Sequence, residues 1–359
     1  MKESLQQFVE TVAGPANLRV ETDFGDGYVR LKASEAERRQ AVQDIRSTED
    51  IVLEMLRNSR DAHASHIYVA LSREGSKRTL AVIDDGCGIP ASMHELVFEP
   101  RVTSKLDTSH IDAWGIHGRG MALFSVSANA EQAHVMASEP EKGCAIYVQT
   151  NLKSLGEKAD QSSFPTFILA EDGKVNVRGP KNVLRTTCEF AIECRSQCSV
   201  YLGSPAEIVS TLYSYGKATL SVIDRLFTHE NESLPIVKRL ACSADPADLA
   251  ENAAHLGLYI SERTARRVMD GEIPEPDAML DQISIETPES SKARTKPRRK
   301  SGDARSLKLH PDDVAVLTKA VQDAFEDIAE SYYLESDVTP SVRVRKDAIT
   351  ISVPIVKQP

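Results

Sequence analysis

No hydrophobic run in this sequence approaches the ~18–20 residues that a membrane-spanning helix needs. The N-terminus, Met1-Lys2-Glu3-Ser4, opens on no apolar segment, which speaks against a secretory leader. The six cysteines, Cys87, Cys144, Cys188, Cys194, Cys198 and Cys242, follow no regular spacing. A disulfide framework is therefore not expected, and reduced thiols in a cytoplasm are. Cys194 and Cys198 lie close in sequence, but no second Cys/His pair stands near them at zinc-ligand spacing. Internal repeats are missing too. So is an excess of positive charge: 43 Lys and Arg against 53 Asp and Glu leave a formal net charge of −10. That excludes a surface basic throughout, though not a local basic patch.

The 359 residues leave room for two domains or three small ones, and 41% hydrophobic with 27% charged residues fits a globular chain. The first 45 residues are polar and partly helical, with a turn signal at Asp23-Phe24-Gly25-Asp26-Gly27. Ile51, Met55 and Leu56, with Leu53 beside them, give an apolar face at helical spacing, and Ser47 or Thr48 can cap its start. Ile67–Leu71 and Leu80–Ile83 read as two strands joined by the turn at residues 73–76. A glycine-rich loop and a buried helix over Met121–Val126 follow, then strands at Ala133–Ala137 and Cys144–Thr150. Phe167–Leu169, Val175–Val177 and Cys188–Ile192 are expected to continue the same sheet. This order predicts an α/β sandwich with helices on one face of a mixed sheet.

Beyond residue 205 the pattern turns helical. Asp248–Asp270 reads as two helices broken at Gly257, with Ser261 as a cap and Arg263, Arg266 and Arg267 on one basic face. That is either a helix-turn-helix or a plain helical hairpin. Lys292, Arg294, Lys296, Arg298, Arg299 and Lys300 crowd into nine residues with Ser-rich flanks. The run is either a solvated linker or a disordered arm that contacts phosphates. Pro311–Tyr332 forms a further amphipathic helix, and Ser341–Val356 a terminal strand pair.

Three constellations carry chemistry. Glu54, Asn58 and Asp61 are spaced four and three apart and so share one helix face. An amide oxygen there suits a hard cation such as magnesium, and a carboxylate one turn away can deprotonate a water aimed at a phosphate. Alone, that spacing is a common solvated surface. It is followed by Ile83-Asp84-Asp85-Gly86-Cys87-Gly88-Ile89-Pro90, straight after an apolar strand. A carboxylate at a strand end can accept from an exocyclic amine, and the glycines let backbone approach a flat base. The third is Gly115-Ile116-His117-Gly118-Arg119-Gly120-Met121 before a helix, where backbone N–H groups can face phosphate oxygens. It has neither the Gly-Lys-Ser/Thr ending of a P-loop nor the preceding strand of a dinucleotide fingerprint.

In this order and at these intervals the three segments resemble the N, G1 and G2 boxes of the GHKL ATPases, the superfamily of gyrase, heat-shock chaperones, histidine kinases and MutL. The resemblance covers residues 45–195. It implies ATP and Mg2+ as ligands, with Glu54 as general base and Asn58 as the magnesium ligand. Asp84 would bind the adenine amine, Gly86 and Gly88 would shape its pocket, and Asp61 would support the site. Gly115, His117, Gly118, Arg119, Gly120 and Met121 would form the phosphate lid. Phe98-Glu99-Pro100 and Thr103-Ser104-Lys105 look like the mobile lid segment, with Lys105 reaching the terminal phosphate. Thr186, in Arg185-Thr186-Thr187-Cys188, resembles the strand threonine that meets adenine through water, although Arg185 stands where the family has glycine. Gly143-Cys144 is a competing place for that strand.

The implied organisation is an N-terminal arm (1–45), the GHKL ATP-binding domain (46–204), a helical domain (205–286), a basic disordered linker (287–305) and a C-terminal helix with a strand pair (306–359). A histidine kinase of conventional layout is disfavoured, because the first histidine, His63, already lies at the end of the N box. The Asn-Ser-x-Asp-Ala form of that box is most similar to MutL, MORC and the ATP-binding component of topoisomerase VI. That likeness implies an ATP-gated homodimer acting on duplex DNA in the cytoplasm, at the nucleoid, for which the basic run Lys292–Lys300 and Arg263, Arg266 and Arg267 are candidate DNA contacts beside their plain structural readings. It leaves room for a separate protein partner. The alternative is a signalling or regulatory ATP-binding module acting on a protein.

Overall fold

The computed structural model describes residues 20–104, 110–112, 115–117, 120–169, 175–221, 233–286, 311–332, 334–344 and 349–355. The chain divides into two compact units, residues 1–286 and 287–359.

In the first unit a hairpin of β1 (Val20–Gly25) and β2 (Tyr28–Leu31) precedes helix α1 (Glu35–Asp44). Helix α2 (Thr48–Asp61) leads into β3 (His66–Glu74) and β4 (Lys77–Asp84). After two short 3-10 turns come β5 (Val102–Thr103) and a small hairpin, β6 (His110–Asp112) with β7 (Gly115–His117). Then follow α3 (Ala122–Asn129), β8 (Gln132–Ser138), β9 (Cys144–Asn151), β10 (Thr166–Leu169) and β11 (Val175–Arg178). The unit closes with α4 (Val183–Glu193), β12 (Ser199–Gly203), α5 (Pro205–Thr219), α6 (Pro246–His255), α7 (Glu262–Met269) and β13 (Ile285–Glu286).

The central sheet has the order β12-β3-β4-β9-β8. Only β12 runs parallel to its neighbour; the other pairings are antiparallel. Period-2 alternation sends Ile67, Val69, Leu80, Val82, Ile146 and Val148 into one core, against Ile51, Val52, Met55 and Leu56 of α2. The alternate residues Tyr68, Ala70, Ala81, Ile83 and Ala145 enter a second core with Ile208, Leu212, Leu249 and Ala265. Both faces of the sheet are therefore covered, so the strands read as unbroken apolar runs. Each large aliphatic side chain so buried contributes about 1.5–3 kcal/mol.

This arrangement corrects three expectations. Helices lie on both faces of the sheet rather than one, and residues 205–286 pack against the second face within the same unit. Strands β10 and β11 do not extend the central sheet; with β13 they form a separate three-stranded one. Residues 188–192 are helical, not extended, and Thr186 lies in α4. Asn182 caps that helix by accepting from the Arg185 N–H at 2.9 Å. Val183, Thr187, Cys188, Phe190 and Ala191 supply the buried helical face.

The N-terminal hairpin is not a detached arm. Strand β2 pairs with β5 through Val29–Thr103 and Arg30–Val102. The 287–359 unit holds α8 (Pro311–Tyr332) and the hairpin of β14 (Ser341–Val344) with β15 (Ile349–Ser352). The basic run Lys292–Lys300 lies outside the described residues.

Candidate active site

Helix α2 starts where the Asp50 carboxylate accepts from the Ser47 N–H at 3.0 Å. Its apolar face points at the sheet. The adjacent face, with Glu54, Asn58 and Asp61, lines a cleft of about 1000 Å³ including its open mouth. The opposite wall is built from Val82, Asp84, Cys144 and Ile146 of the sheet, Gly88 and Ile89 of the following loop, and Thr103, Ser104 and Gly120 of the lid region. One site thus gathers Glu54, Asn58, Asp61, Asp84, Gly88, Thr103, Ser104 and Gly120, which are distant in sequence.

The remaining sequence-predicted residues fall elsewhere. Gly86 stands beside the wall, its N–H donated to Asp84 Oδ1 at 2.9 Å. Met121 precedes α3 as its N-cap. Gly115 and His117 belong to β7, so the first half of the glycine-rich run is a strand rather than a loop entering a helix. Lys105, Gly118 and Arg119 lie outside the described residues. Thr186, on α4, does not line the cleft; Cys144, at the alternative place, does. Arg263, Arg266 and Arg267 are exposed together on α7. Two of the three are paired, Arg266 with Glu262 at 3.4 Å and Arg267 with Glu272 at 3.0 Å.

The loop after β4 is held by close backbone approach. Gly88 has φ +68°, and a Cβ there would sit 1.9 Å from the Glu139 carbonyl oxygen. Gly143, in the β8–β9 turn packed against this loop, has its Cβ position 2.1 Å from the Asp84 carbonyl oxygen. Only glycine fits either place. Asp84 itself is 5% exposed. Its Oδ2 accepts from the Ser59 hydroxyl at 2.6 Å, while Oδ1 takes the Gly86 N–H. The next residue, Asp85, turns away from the cleft to His66, with Oδ2 2.7 Å from Nδ1. That bond raises the His66 pKa above its ordinary value. Burial pushes Asp85 up, but its bonds to the His66 ring and backbone outweigh it and hold its carboxyl low.

Charge in the cleft wall is uneven. Among the described lining residues, Glu54, Asp61 and Asp84 face a single cation, Arg57. Arg57 is buried, and its Nη1 donates to Glu54 Oε1 at 2.5 Å. Asp61 is paired with Arg60 at 2.9 Å. Arg60 rests over the Phe190 ring and reaches Cys194 Sγ at 3.9 Å. A bond from the Cys198 thiol, aided by Arg60, lowers Cys194 to about 7, while its own bond to Cys194 and burial push Cys198 up.

Asn58 Nδ2 is buried with no protein partner. A buried amide left so costs about 1–3 kcal/mol, which makes it a place for a ligand to satisfy. No group of three or more His, Cys, Asp or Glu fit to hold a metal is found among the described residues. Magnesium needs no such cage, because it takes one or two protein oxygens and shares the rest with phosphates and water. The Asn58 amide oxygen is an oxygen of that kind, whereas the orphaned Nδ2, a hydrogen-bond donor, suits a phosphate oxygen.

Sequence reasoning missed Tyr28, Arg57, Ser59 and Ile89 as wall residues. Ser59 follows Asn58 and had a local signal. Tyr28 had none, since it reaches the cleft only through the β2–β5 pairing.

The family model for histidine kinase-, DNA gyrase B-, and HSP90-like ATPases matches residues 43–154. Among curated proteins the chain is similar to the DNA mismatch repair protein MutL of Staphylococcus saprophyticus and to that of Staphylococcus aureus strain Newman. Each is 33% identical over 145 residues, 39% of this chain. The match spans 22% and 21% of those relatives, about a fifth of their length. No described helix is long and apolar enough to cross a membrane.

Proposed function

We propose that this chain, which carries an ATPase domain of the GHKL superfamily, binds ATP with magnesium in the cleft and hydrolyses it. The observation that carries the reading is the meeting of the Glu54–Asn58–Asp61 helix face with Asp84 in one cleft. Asp84 accepts from the exocyclic amine of adenine at the closed end. Gly88 lets the backbone lie flat beside the base. Asn58 offers its amide oxygen to the cation, and Asp61, fixed by Arg60, supports that end of the helix. Bound magnesium supplies charge neutralisation along the phosphates. Glu54 accepts the proton of the attacking water, with Arg57 orienting its carboxylate from the 2.5 Å contact. Thr103, Ser104 and Gly120 line the lid side of the cleft, and the roles proposed for Lys105, Gly118 and Arg119 are contacts to the phosphates.

The reading extends to an ATP-gated homodimer working on duplex DNA. It is supported by the likeness to proteins named for DNA mismatch repair and by the basic run Lys292–Lys300. The α7 arginines add less, since two already have carboxylate partners. Such a protein works inside the cell, at the nucleoid. Titration calorimetry with ATP tests the binding step, and sedimentation with a non-hydrolysable ATP analogue tests the dimer. DNA affinity that falls steeply with salt and vanishes on deletion of residues 292–300 supports the DNA role. Label passing from ATP to a co-purified protein would move the reading to a signalling module.

A further inference from the structure

We propose that Tyr28 is a nucleotide-binding residue that closes the base end of the cleft in cis. This rests on the ATP reading above. Tyr28 lies upstream of the family-model match at residues 43–154 and of the three motif segments. It is the single aromatic side chain in the described cleft wall, where the other apolar positions are aliphatic, as at Val82, Ile89 and Ile146.

The ring is positioned by pairing rather than by its own loop. Val29 and Arg30 register with Thr103 and Val102, and the Leu31 N–H donates to the Arg101 carbonyl at 2.9 Å. Two ion pairs tie the hairpin and α1 to the segment just before β5, Arg30 with Glu99 and Arg101 with Glu37. Tyr28 packs on Met93, Val97 and Val102. An aliphatic side chain would fill that packing equally well, so the packing alone does not call for a phenol. The phenol instead shares a hydrogen bond with the Ser104 hydroxyl, and Cys87 and Cys144 line the same wall. Cys144 registers directly with Asp84 across the β4–β9 pairing, and Ile89, just past the Asp84–Gly88 loop, packs against the Tyr28 cluster, so Tyr28 sits toward the Asp84 end. An aromatic face beside an adenine-accepting carboxylate is what a flat base stacks against.

The test compares ATP and ADP binding by titration calorimetry for the wild type, Tyr28→Leu and Tyr28→Phe. Tyr28→Leu keeps the apolar packing and should weaken both nucleotides about tenfold and equally, because the base is common to both. Tyr28→Phe keeps the ring and should bind within about threefold of wild type. A folded Tyr28→Leu that binds both nucleotides like the wild type overturns the proposal alone. A wild type that binds neither overturns the ATP reading and this proposal with it. A second measurement covers the case where Tyr28→Leu fails to fold. In protein labelled with 3-fluorotyrosine, the fluorine resonance that Tyr28→Phe removes should shift when ATP is added. If that resonance stays in place while ATP binds, the proposal fails.

Discussion

Replacing Asp84 with Asn should weaken nucleotide binding by about one to two orders of magnitude. The buried carboxylate uses Oδ1 for the Gly86 N–H and Oδ2 for the Ser59 hydroxyl, and its negative charge strengthens every bond it accepts. In the asparagine variant the amide oxygen stays with one of these donors. The amide nitrogen then faces the other, donor against donor. Ser59 can turn its hydroxyl to accept, so the fold survives, but the acceptor offered to the exocyclic amine is uncharged or gone. A charge-assisted bond of this kind contributes about 1.5–3 kcal/mol, which corresponds to roughly 10- to 150-fold in affinity. Titration calorimetry with ATP and ADP at fixed magnesium reads the change, and the two nucleotides should suffer alike because the amine belongs to the base. Discrimination against GTP should narrow as well, since guanine presents a carbonyl to which an asparagine amide can donate. An Asp84→Asn protein that melts like the wild type and binds ATP and ADP within twofold of it would remove Asp84 from the base site.

The other predictions concern stability and pH. Gly88→Ala should be severely destabilised, because the new Cβ meets the Glu139 carbonyl oxygen at a positive φ. Gly75→Ala has positive φ but no atom within 4 Å, so it should lose only about 1 kcal/mol. Denaturant melts that rank the two equally would refute the close-approach argument. The His66–Asp85 pair makes stability pH-dependent. The raised His66 pKa means its contribution is fully present below about 6.5, the unfolded value, and is lost as pH rises through the folded value. The depressed Asp85 contribution is present above the ordinary carboxylate range and is lost as pH falls through its lowered value. His66→Gln should therefore cost more stability at pH 6 than at pH 8. An equal cost at both would show that the pair does not titrate this way.

What the sequence disclosed about this site was local. Glu54, Asn58 and Asp61 announce themselves by helical spacing, and Asp84 by its place at the end of an apolar strand. Residues linked through the tertiary structure stayed hidden. Tyr28 joins the cleft because β2 pairs with β5, and no nearby residue signals that pairing. The second covered face of the sheet was in principle readable, because Ile67–Leu71 and Leu80–Ile83 are apolar without alternation, as doubly buried strands are. Thr186 was misplaced because Thr187, Cys188, Phe190 and Ile192 carry side chains that favour strands. The Asn182 cap and the buried set Val183, Thr187, Ala191 at four-residue spacing decide for helix.

Steady-state ATP hydrolysis by the wild type and Glu54→Ala, with and without duplex DNA, probes the proposed chemistry most directly. Magnesium-dependent turnover in the wild type is expected, stimulated by DNA. Glu54→Ala should fall by at least about 100-fold while still binding ATP, as removal of a general base does. Turnover by Glu54→Ala at the wild-type rate would contradict the assignment of Glu54, and a wild type that binds ATP without hydrolysing it would contradict the ATPase itself.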